Sequence, residues 1–213
     1  MDIVETVKFP GNDVEWIKKI LIGGLLMLIP IVNFIALGYY IKTLRGSIDD
    51  ESALPEWEDW GDLFIKGLVV VIVVFIYMLI PLAILFFSIG SAAISSIASG
   101  DVAPASIGAI IAGSLISMVL VFIACLLLPM AFSMYAKEDS IGAAFRLGEL
   151  LSRIRSIIGE YIIALIVLLA LMVIVSFISM VPFIGWVVMI FANFYVGLVA
   201  AYMLGNVYAA SSA

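Results

Sequence analysis

The sequence has no histidine and a single cysteine, Cys125. One cysteine excludes an intramolecular disulfide bond, and we expect Cys125 to pack in the core as a small apolar residue. Zinc and haem sites built from their usual ligands are not expected without histidine. We therefore predict neither a cofactor nor a metal.

Charged residues are also scarce, at 12% of the chain. Four long stretches contain none at all: 20–41, 67–100, 102–136 and 161–213. The shortest has 22 residues, and roughly 20 apolar residues in a helix cross a hydrocarbon core about 30 Å thick. With a mean hydropathy of +1.29, the chain is predicted to be an all-α polytopic transmembrane helix bundle with at least five crossings.

The shortage of ionisable groups argues against several functions. Proton-coupled transport normally relies on carboxylates or histidines within the membrane, and the long runs contain neither. No GxSxG elbow, phosphate-binding glycine loop or HExxH motif is present either. We predict that the protein is not an enzyme, although carboxylate-only chemistry at the cytoplasmic face stays open, and that it does not bind nucleic acid.

All ten basic residues fall in three segments, around positions 8–19, 42–66 and 137–155. Short cytoplasmic loops collect lysine and arginine, so all three segments favour the same side. Five straight helices would divide them between both sides, whereas an N-terminal hairpin over 17–45 keeps all ten together. The charges thus predict a multi-pass protein of the cell membrane with both termini in the cytoplasm.

Residues typical of turns permit that hairpin. Pro30-Ile31-Val32-Asn33 combines a fixed proline φ with an asparagine that tolerates a left-handed backbone, and Pro182-Phe183-Ile184-Gly185 forms a similar pattern. The first hairpin would be re-entrant, because the eleven residues from Lys19 to Pro30 cover only about 17 Å as a helix. A single proline-kinked helix over 17–44 is the alternative.

We expect one integral membrane domain over 1–213 with five parts. They are an N-terminal hairpin (1–46), an acidic tryptophan-rich cytoplasmic loop (47–66), two long membrane helices (67–136), an amphipathic interfacial helix (137–158) and a C-terminal membrane hairpin (159–213).

The tryptophan-rich loop predicts an interfacial helix. If that helix starts near Pro55, Trp57, Trp60 and Phe64 share one face and anchor it in the headgroup layer. A divalent-cation site is the alternative for the neighbouring acidic residues Asp49, Asp50, Glu51, Glu56, Glu58, Asp59 and Asp62. Because EF-hand spacing is absent, we favour a solvated acidic face.

A second interfacial helix is predicted over 140–158. Its apolar stripe consists of Ile141, Ala144, Phe145, Gly148, Leu151, Ile154 and Ile158. Arg146 and Arg153 lie on the other face as candidate anchors for anionic headgroups, and Glu149 precedes Arg153 at the favourable i, i+4 spacing.

The last apolar run carries small residues at every fourth position: Asn193, Gly197, Ala201, Gly205 and Ala209. That spacing is typical of close helix contacts. Similar ladders are Ala105, Ala109, Gly113, Ser117 and Ser88, Ala92, Ser96, Gly100. The alternative is a polar pathway lined by Asn193, Ser176, Ser179 and Tyr195.

Two functions therefore stay open. One is a structural or partner-binding membrane component, and the other is a channel or carrier for neutral or lipid-like molecules without proton coupling. Expected partners are membrane lipids, together with a second copy of the chain or other membrane proteins.

Several short motifs before residue 68 carry a resemblance to a known family. They are Lys8-Phe9-Pro10, Asp13, Trp16-Ile17-Lys18-Lys19, Gly23-Gly24-Leu25, Pro30-Ile31-Val32-Asn33, Gly38-Tyr39, and Leu54-Pro55 with Trp57, Asp59, Trp60 and Gly61. With these motifs the chain resembles a prokaryotic family of polytopic membrane proteins catalogued as domain of unknown function 4013. The resemblance implies an integral membrane fold and no particular functional residues.

Overall fold

The computed structural model describes residues 3–51, 53–100, 104–181 and 184–211, and all regular elements within these ranges are helices. The α-helices are α1 (Ile3–Lys8), α2 (Trp16–Met27), α3 (Asn33–Ile48), α4 (Trp60–Ser99), α5 (Pro104–Glu138), α6 (Leu147–Ser156), α7 (Ile158–Ile178) and α8 (Ile184–Ala210). Short 3-10 helices cover Phe9–Asn12 and Ile141–Phe145.

Four of these helices are long and apolar enough to cross a membrane: α4, α5, α7 and Gly185–Ala210 of α8. Only 11% to 33% of the residues in the most apolar window of each helix are buried within the chain. Helices that are apolar on all sides need an apolar environment around them, and lipid supplies it. The predicted all-α polytopic membrane fold is confirmed. The described residues contain four candidate spans rather than the five or more crossings that the uncharged runs indicated, because the first run is divided between α2 and α3.

The chain divides into two compact units. The first unit comprises Met1–Val70 and Met130–Ala213, and within it α8 packs against α1, α2, α3 and α7. Its core includes one cluster of buried apolar side chains from α2, α3, α4, α8 and the segments between them: Phe9, Ile20, Leu26, Ala36, Tyr39, Leu54, Leu63, Phe194 and Leu198.

Residues 16–48 form two helices joined by a turn, which confirms the predicted hairpin and excludes one kinked helix. A Cβ atom on Gly23 would meet Phe194, and one on Gly24 would meet Phe191, so α2 runs antiparallel to α8. Gly197 faces Tyr40 and Gly205 faces Ser47, so α3 runs parallel to α8. At 12 residues, α2 extends about 18 Å, less than the thickness of a hydrocarbon core.

The turn of this hairpin differs from the prediction in its backbone. The residue with a left-handed backbone is Ile31, with φ 73°, rather than Asn33, which begins α3. A β-branched residue is strained in that region, and the hydrogen bonds from the Leu28 and Ile29 amides to Leu25 and Leu26 hold the turn closed. Pro182 and Phe183, predicted in the second turn, lie outside the described residues.

The backbones of α3 and α4 touch at two glycines. A Cβ atom on Gly38 would overlap the carbonyl oxygen of Leu63, and one on Gly67 would overlap that of Phe34. Since a backbone atom cannot turn away as a side chain can, glycine is required at both positions.

The second unit is Val71–Pro129, parts of α4 and α5. The two predicted ladders of small residues meet there: a Cβ atom on Gly113 would overlap the Ser88 side chain, and the Ser117 hydroxyl donates to the Pro81 carbonyl at 2.9 Å. The prediction for Cys125 was wrong, because its side chain is exposed. It lies on α5, a candidate membrane span, where a small apolar group can face lipid as readily as a core.

The segment predicted as one helix over 140–158 is interrupted. A 3-10 helix ends at Phe145, Arg146 separates it from α6, and Ile157 separates α6 from α7. The fully buried side chain of α6 is Leu150, whereas Leu151 of the predicted stripe is 44% exposed. The break at Arg146 changes the helical phase and therefore the face that packs.

Candidate functional site

Lys19 is the most deeply buried charged side chain among the described residues, at 2% exposure. Its ammonium donates to Asp13 Oδ2 at 2.9 Å, to the Leu54 carbonyl at 3.0 Å and to Glu56 Oε1 at 2.7 Å. A lysine ammonium has three donors, and all three are used. We call Asp13, Lys19, Leu54 and Glu56 the Lys19 cluster.

Two stacked aromatic rings support this cluster. Trp57 stacks on Tyr39 with ring centroids 3.9 Å apart and planes 15° from parallel. The Tyr39 hydroxyl donates to the Pro55 carbonyl at 2.6 Å, and the Trp60 indole donates to the Trp57 carbonyl at 3.1 Å. The segment from Leu54 to Trp60 is thereby fastened to α2 and α3.

The observed helix in the tryptophan-rich segment differs from the predicted one. The helix begins at Trp60 rather than near Pro55, so Trp57 precedes it and shares no helical face with Trp60 and Phe64. Phe64 contacts Phe34, with ring centroids 5.6 Å apart, and Trp60 is 45% exposed. Stacking on Tyr39 buries the Trp57 ring more fully than a solvated helix would. An interfacial position for these residues stays a prediction.

The charges of the cluster reinforce one another. Burial disfavours the Asp13 carboxylate, but the hydrogen bonds from Lys19 and the Glu15 amide outweigh it and hold the Asp13 pKa below its ordinary value. Burial likewise disfavours charged Lys19, but Glu56 and Asp13 raise its pKa. Burial, followed by those two carboxylates, raises the pKa of Tyr39.

These shifts define what the cluster can do chemically. A lysine with a raised pKa and three engaged donors stays protonated, so it is neither a general base nor a nucleophile. Tyr39 stays neutral and donates a fixed hydrogen bond. The cluster therefore holds α2 to the Leu54–Trp60 segment, and Tyr39 attaches α3 to the same segment. A pocket of about 310 Å³ opens beside it, lined by carboxylates, lysines and aromatic rings: Glu15, Lys18, Lys19, Ile22, Glu56, Trp57, Glu58 and Trp60.

Three acidic residues of the alternative divalent-cation site pair with separate lysines. Glu56 pairs with Lys19, Asp62 pairs with Lys66, and Asp49 pairs with Lys137 at 2.6 Å. In the described part of the chain, no group of three or more carboxylate, cysteine or histidine side chains is arranged to hold a metal ion.

The small residues of α8 have two different environments. A Cβ atom on Gly197 would meet the Tyr40 ring, one on Gly205 would lie 2.7 Å from the Leu44 carbonyl, and Ala201 is 4% exposed. Ala201 and Gly205 are buried, and Gly197 is half-buried. Asn193 and Ala209, at the ends of the stripe, are exposed.

The hydroxyl groups of the alternative polar pathway have hydrogen-bond acceptors within the chain. The Tyr195 hydroxyl donates to the Val7 carbonyl at 2.7 Å. Ser176 is exposed and Ser179 half-buried, and they donate to the Met172 and Ser176 carbonyls of their own helix segment.

Both predicted arginine anchors bind within the protein. Arg146 pairs with Glu138 and with Glu149. Arg153 makes the predicted pair with Glu149 at 3.0 Å, donates to the Ser211 carbonyl and lies 4.7 Å from the centre of the Tyr208 ring. Arg153 thus ties α6 to the end of α8. Contact of either arginine with lipid headgroups stays a prediction.

Sequence reasoning missed Lys19, Tyr39 and Leu54 as members of one site. It treated Lys19 only as a charge near the membrane. One feature of the sequence could have indicated this site: all three residues belong to the motifs before residue 68 that carry the family resemblance.

Long apolar helices around small-residue contacts and a buried ion cluster define a polytopic helical integral membrane protein. The chain belongs to the family described as "Protein of unknown function (DUF4013)", whose sequence profile matches residues 22–184. It is also similar to an uncharacterized protein of Methanocaldococcus jannaschii, MJ1189, with 27% identity over 63 residues. That match covers 28% of this chain and 22% of the relative. No solved structure matches the chain.

Proposed function

We propose that this protein is a structural or partner-binding component of the membrane rather than a channel or carrier. The observation that carries the proposal is the engagement of Lys19, whose three donors all bind within the chain. A pathway for polar solutes would need polar groups free to bind them, whereas this buried cation joins α2 to the segment before α4.

The small residues of α8 support the same proposal. Gly197 and Gly205 bring α8 close to α3, and the hydroxyl of Tyr195 is bound to α1. Residues that would line a conduit in the alternative function instead make helix contacts or face outward. The C-terminal part of α4 has exposed apolar side chains that a partner could contact, among them Ile94 and Ile97, which are 70% and 83% exposed.

Two measurements test this proposal together. In vesicles reconstituted with purified protein, swelling in glycerol should be as slow as in protein-free vesicles. In native membranes, a photo-crosslinking residue at Ile97 should give an adduct of one reproducible mass, and the same residue at buried Ala92 should not. Faster glycerol entry without a discrete adduct would favour the carrier.

We further propose that the protein lies in the cell membrane with both termini in the cytoplasm. The support is the ten basic residues, which a re-entrant α2–α3 hairpin keeps on one side. Single cysteines test this in a Cys125→Ala background. Gly11→Cys and Glu51→Cys should react only with reagent from the inside, and Ser95→Cys only from the outside. Labelling of Gly11→Cys from the outside would show that the N-terminus lies outside the cell and would contradict the proposed orientation.

A further inference from the structure

An apolar groove of about 340 Å³ lies between α2 and α7, each of which packs against α8. Its floor is on α8 and its two walls are on α2 and α7. The lining residues are Trp16, Ile20, Leu171, Ile174, Val175, Val188, Phe191, Ala192, Tyr195 and Val196.

Ala192 lies on the floor of the groove, and because its side chain is small, the groove is deep at this position. On either side of it, Phe191 packs on Gly24 and Phe194 packs on Gly23, so both large rings turn toward α2. The groove therefore follows from the sequence: glycines on α2 accept the aromatic rings of α8, and alanine faces the gap that remains.

Both α7 and α8 are candidate membrane spans, so the groove opens to lipid. Water does not fill apolar cavities, because it finds no hydrogen-bond partners there. The one hydroxyl of the lining, on Tyr195, already donates to the Val7 carbonyl at 2.7 Å. The groove thus offers van der Waals contact to an apolar chain and little to a polar ligand.

One end of the groove has the aromatic pair that marks a membrane interface. Trp16 meets Tyr195 edge to face, with ring centroids 6.5 Å apart. Tryptophan and tyrosine prefer the headgroup layer. The exposed charges of Glu15 and Lys18 lie one and two positions from Trp16 in the chain. An occupant would therefore have a polar group near Trp16 and an apolar tail between α2 and α7.

We propose that this groove is a binding site for one acyl chain of a membrane phospholipid. Contact on three sides favours the bound chain over a chain in the bulk bilayer, where it touches other mobile chains. The bound lipid fills the gap between the short re-entrant helix α2 and the membrane helix α7.

A phospholipid with a diazirine in its acyl chain, present at trace level in nanodiscs, tests the proposal. After irradiation, mass spectrometry of peptides locates the label. Because packing alone provides the preference, we expect labelling of the groove residues to exceed that of the exposed α7 residues Ile166 and Leu169 by about threefold. Labelling that follows exposure, with no excess in the groove, would overturn the proposal.

Matched variants separate binding in the groove from contact with bulk lipid. Ala192→Phe fills the floor and should remove the excess label, while Ala170→Phe adds the same volume to an exposed site on α7 and should preserve it. If thermal melting shows that Ala192→Phe does not fold, Val188→Phe is used in its place, because Val188 lies at the rim of the groove and is 42% exposed. Equal labelling in parent and filled variant contradicts the site, whatever the outcome of the glycerol experiment.

Discussion

The ammonium of Lys19 lies 2.7 Å from the carboxylate of Glu56, which follows it by 37 positions in the chain. Lys19 is on α2, and Glu56 is in the segment just before α4. The Lys19 side chain is 2% exposed and the Glu56 side chain 60%. A buried cation thus bonds to a carboxylate at the surface, and the bond fixes the start of the first long membrane helix relative to the hairpin.

We expect Lys19→Met to lower the stability of the protein substantially. The change leaves Asp13 and the Leu54 carbonyl without their shared donor, and breaking a buried charge pair typically costs about 3–5 kcal/mol. Lys18→Met is the matched control, since Lys18 is 66% exposed and exposed ion pairs contribute about 0–1 kcal/mol. Thermal unfolding in detergent measures both. Equal melting temperatures for the two variants would contradict a structural role for the cluster.

We expect Asp13→Asn to destabilise the protein by about 2 kcal/mol at neutral pH, the usual range for a hydrogen bond to a charged group. Because Lys19 and the Glu15 amide keep the Asp13 pKa below its ordinary value of 3.8, the stabilisation is present above that value. It is lost as the pH falls through the folded pKa.

The difference in melting temperature between parent and Asp13→Asn should therefore be constant from about pH 5 to 9 and shrink below about pH 4. The raised pKa of Lys19 has the opposite sign, since its contribution is lost only as the pH rises through that folded pKa. Melting curves across this range provide the measurement. A difference that stays constant into acid would rule out the assigned interaction.

We expect Gly67→Ala to destabilise the protein by about 3 kcal/mol, the upper part of the range for overpacking. Its Cβ atom would overlap the Phe34 carbonyl oxygen, so α3 and α4 must separate. Gly61→Ala, on the same helix with nothing within 4 Å of the added atom, should be neutral or slightly stabilising. Thermal unfolding gives the melting temperature of each variant. A lower melting temperature for Gly61→Ala than for Gly67→Ala would contradict the prediction.

The stripe on α8 predicts an unequal response along its length. Gly205→Leu should lower the melting temperature or the yield of folded protein, because an atom at Cβ already lies 2.7 Å from the Leu44 carbonyl. Asn193→Ala should change stability by about 0.5 kcal/mol or less, as exposed substitutions usually do. The reverse order, together with altered solute flux in vesicles, would make the stripe part of a conduit.

We expect Ile31→Gly to stabilise the hairpin by about 1 kcal/mol, since a left-handed backbone costs an L-residue roughly that much and costs glycine little. Ile31 has φ 73° and is 66% exposed, so few contacts are lost. Ile29→Gly is the control in the same turn, at a residue without a positive φ, and should destabilise. Chemical unfolding measures the change in the free energy of unfolding for both variants. A change of the same sign in both would contradict the backbone strain at Ile31.

The sequence alone determined the class of this protein. The length of the uncharged runs and the thickness of a bilayer are sufficient to predict membrane helices, because each helix satisfies its own backbone hydrogen bonds. Small residues at every fourth position likewise predicted close helix contacts. A Cβ atom on Gly197 would meet the Tyr40 ring, and one on Gly113 would meet the Ser88 side chain.

Only the tertiary structure decided which residues meet. Helical periodicity placed Trp57 with Trp60, but Trp57 precedes α4 and its ring stacks on Tyr39. The count of basic residues predicted the side of the membrane on which Lys19 lies. It did not predict that Lys19 pairs with the carboxylates of Asp13 and Glu56. Periodicity describes the face of one helix, whereas a partner 37 positions away depends on how α2, α3 and α8 pack, and that packing is a property of the folded chain.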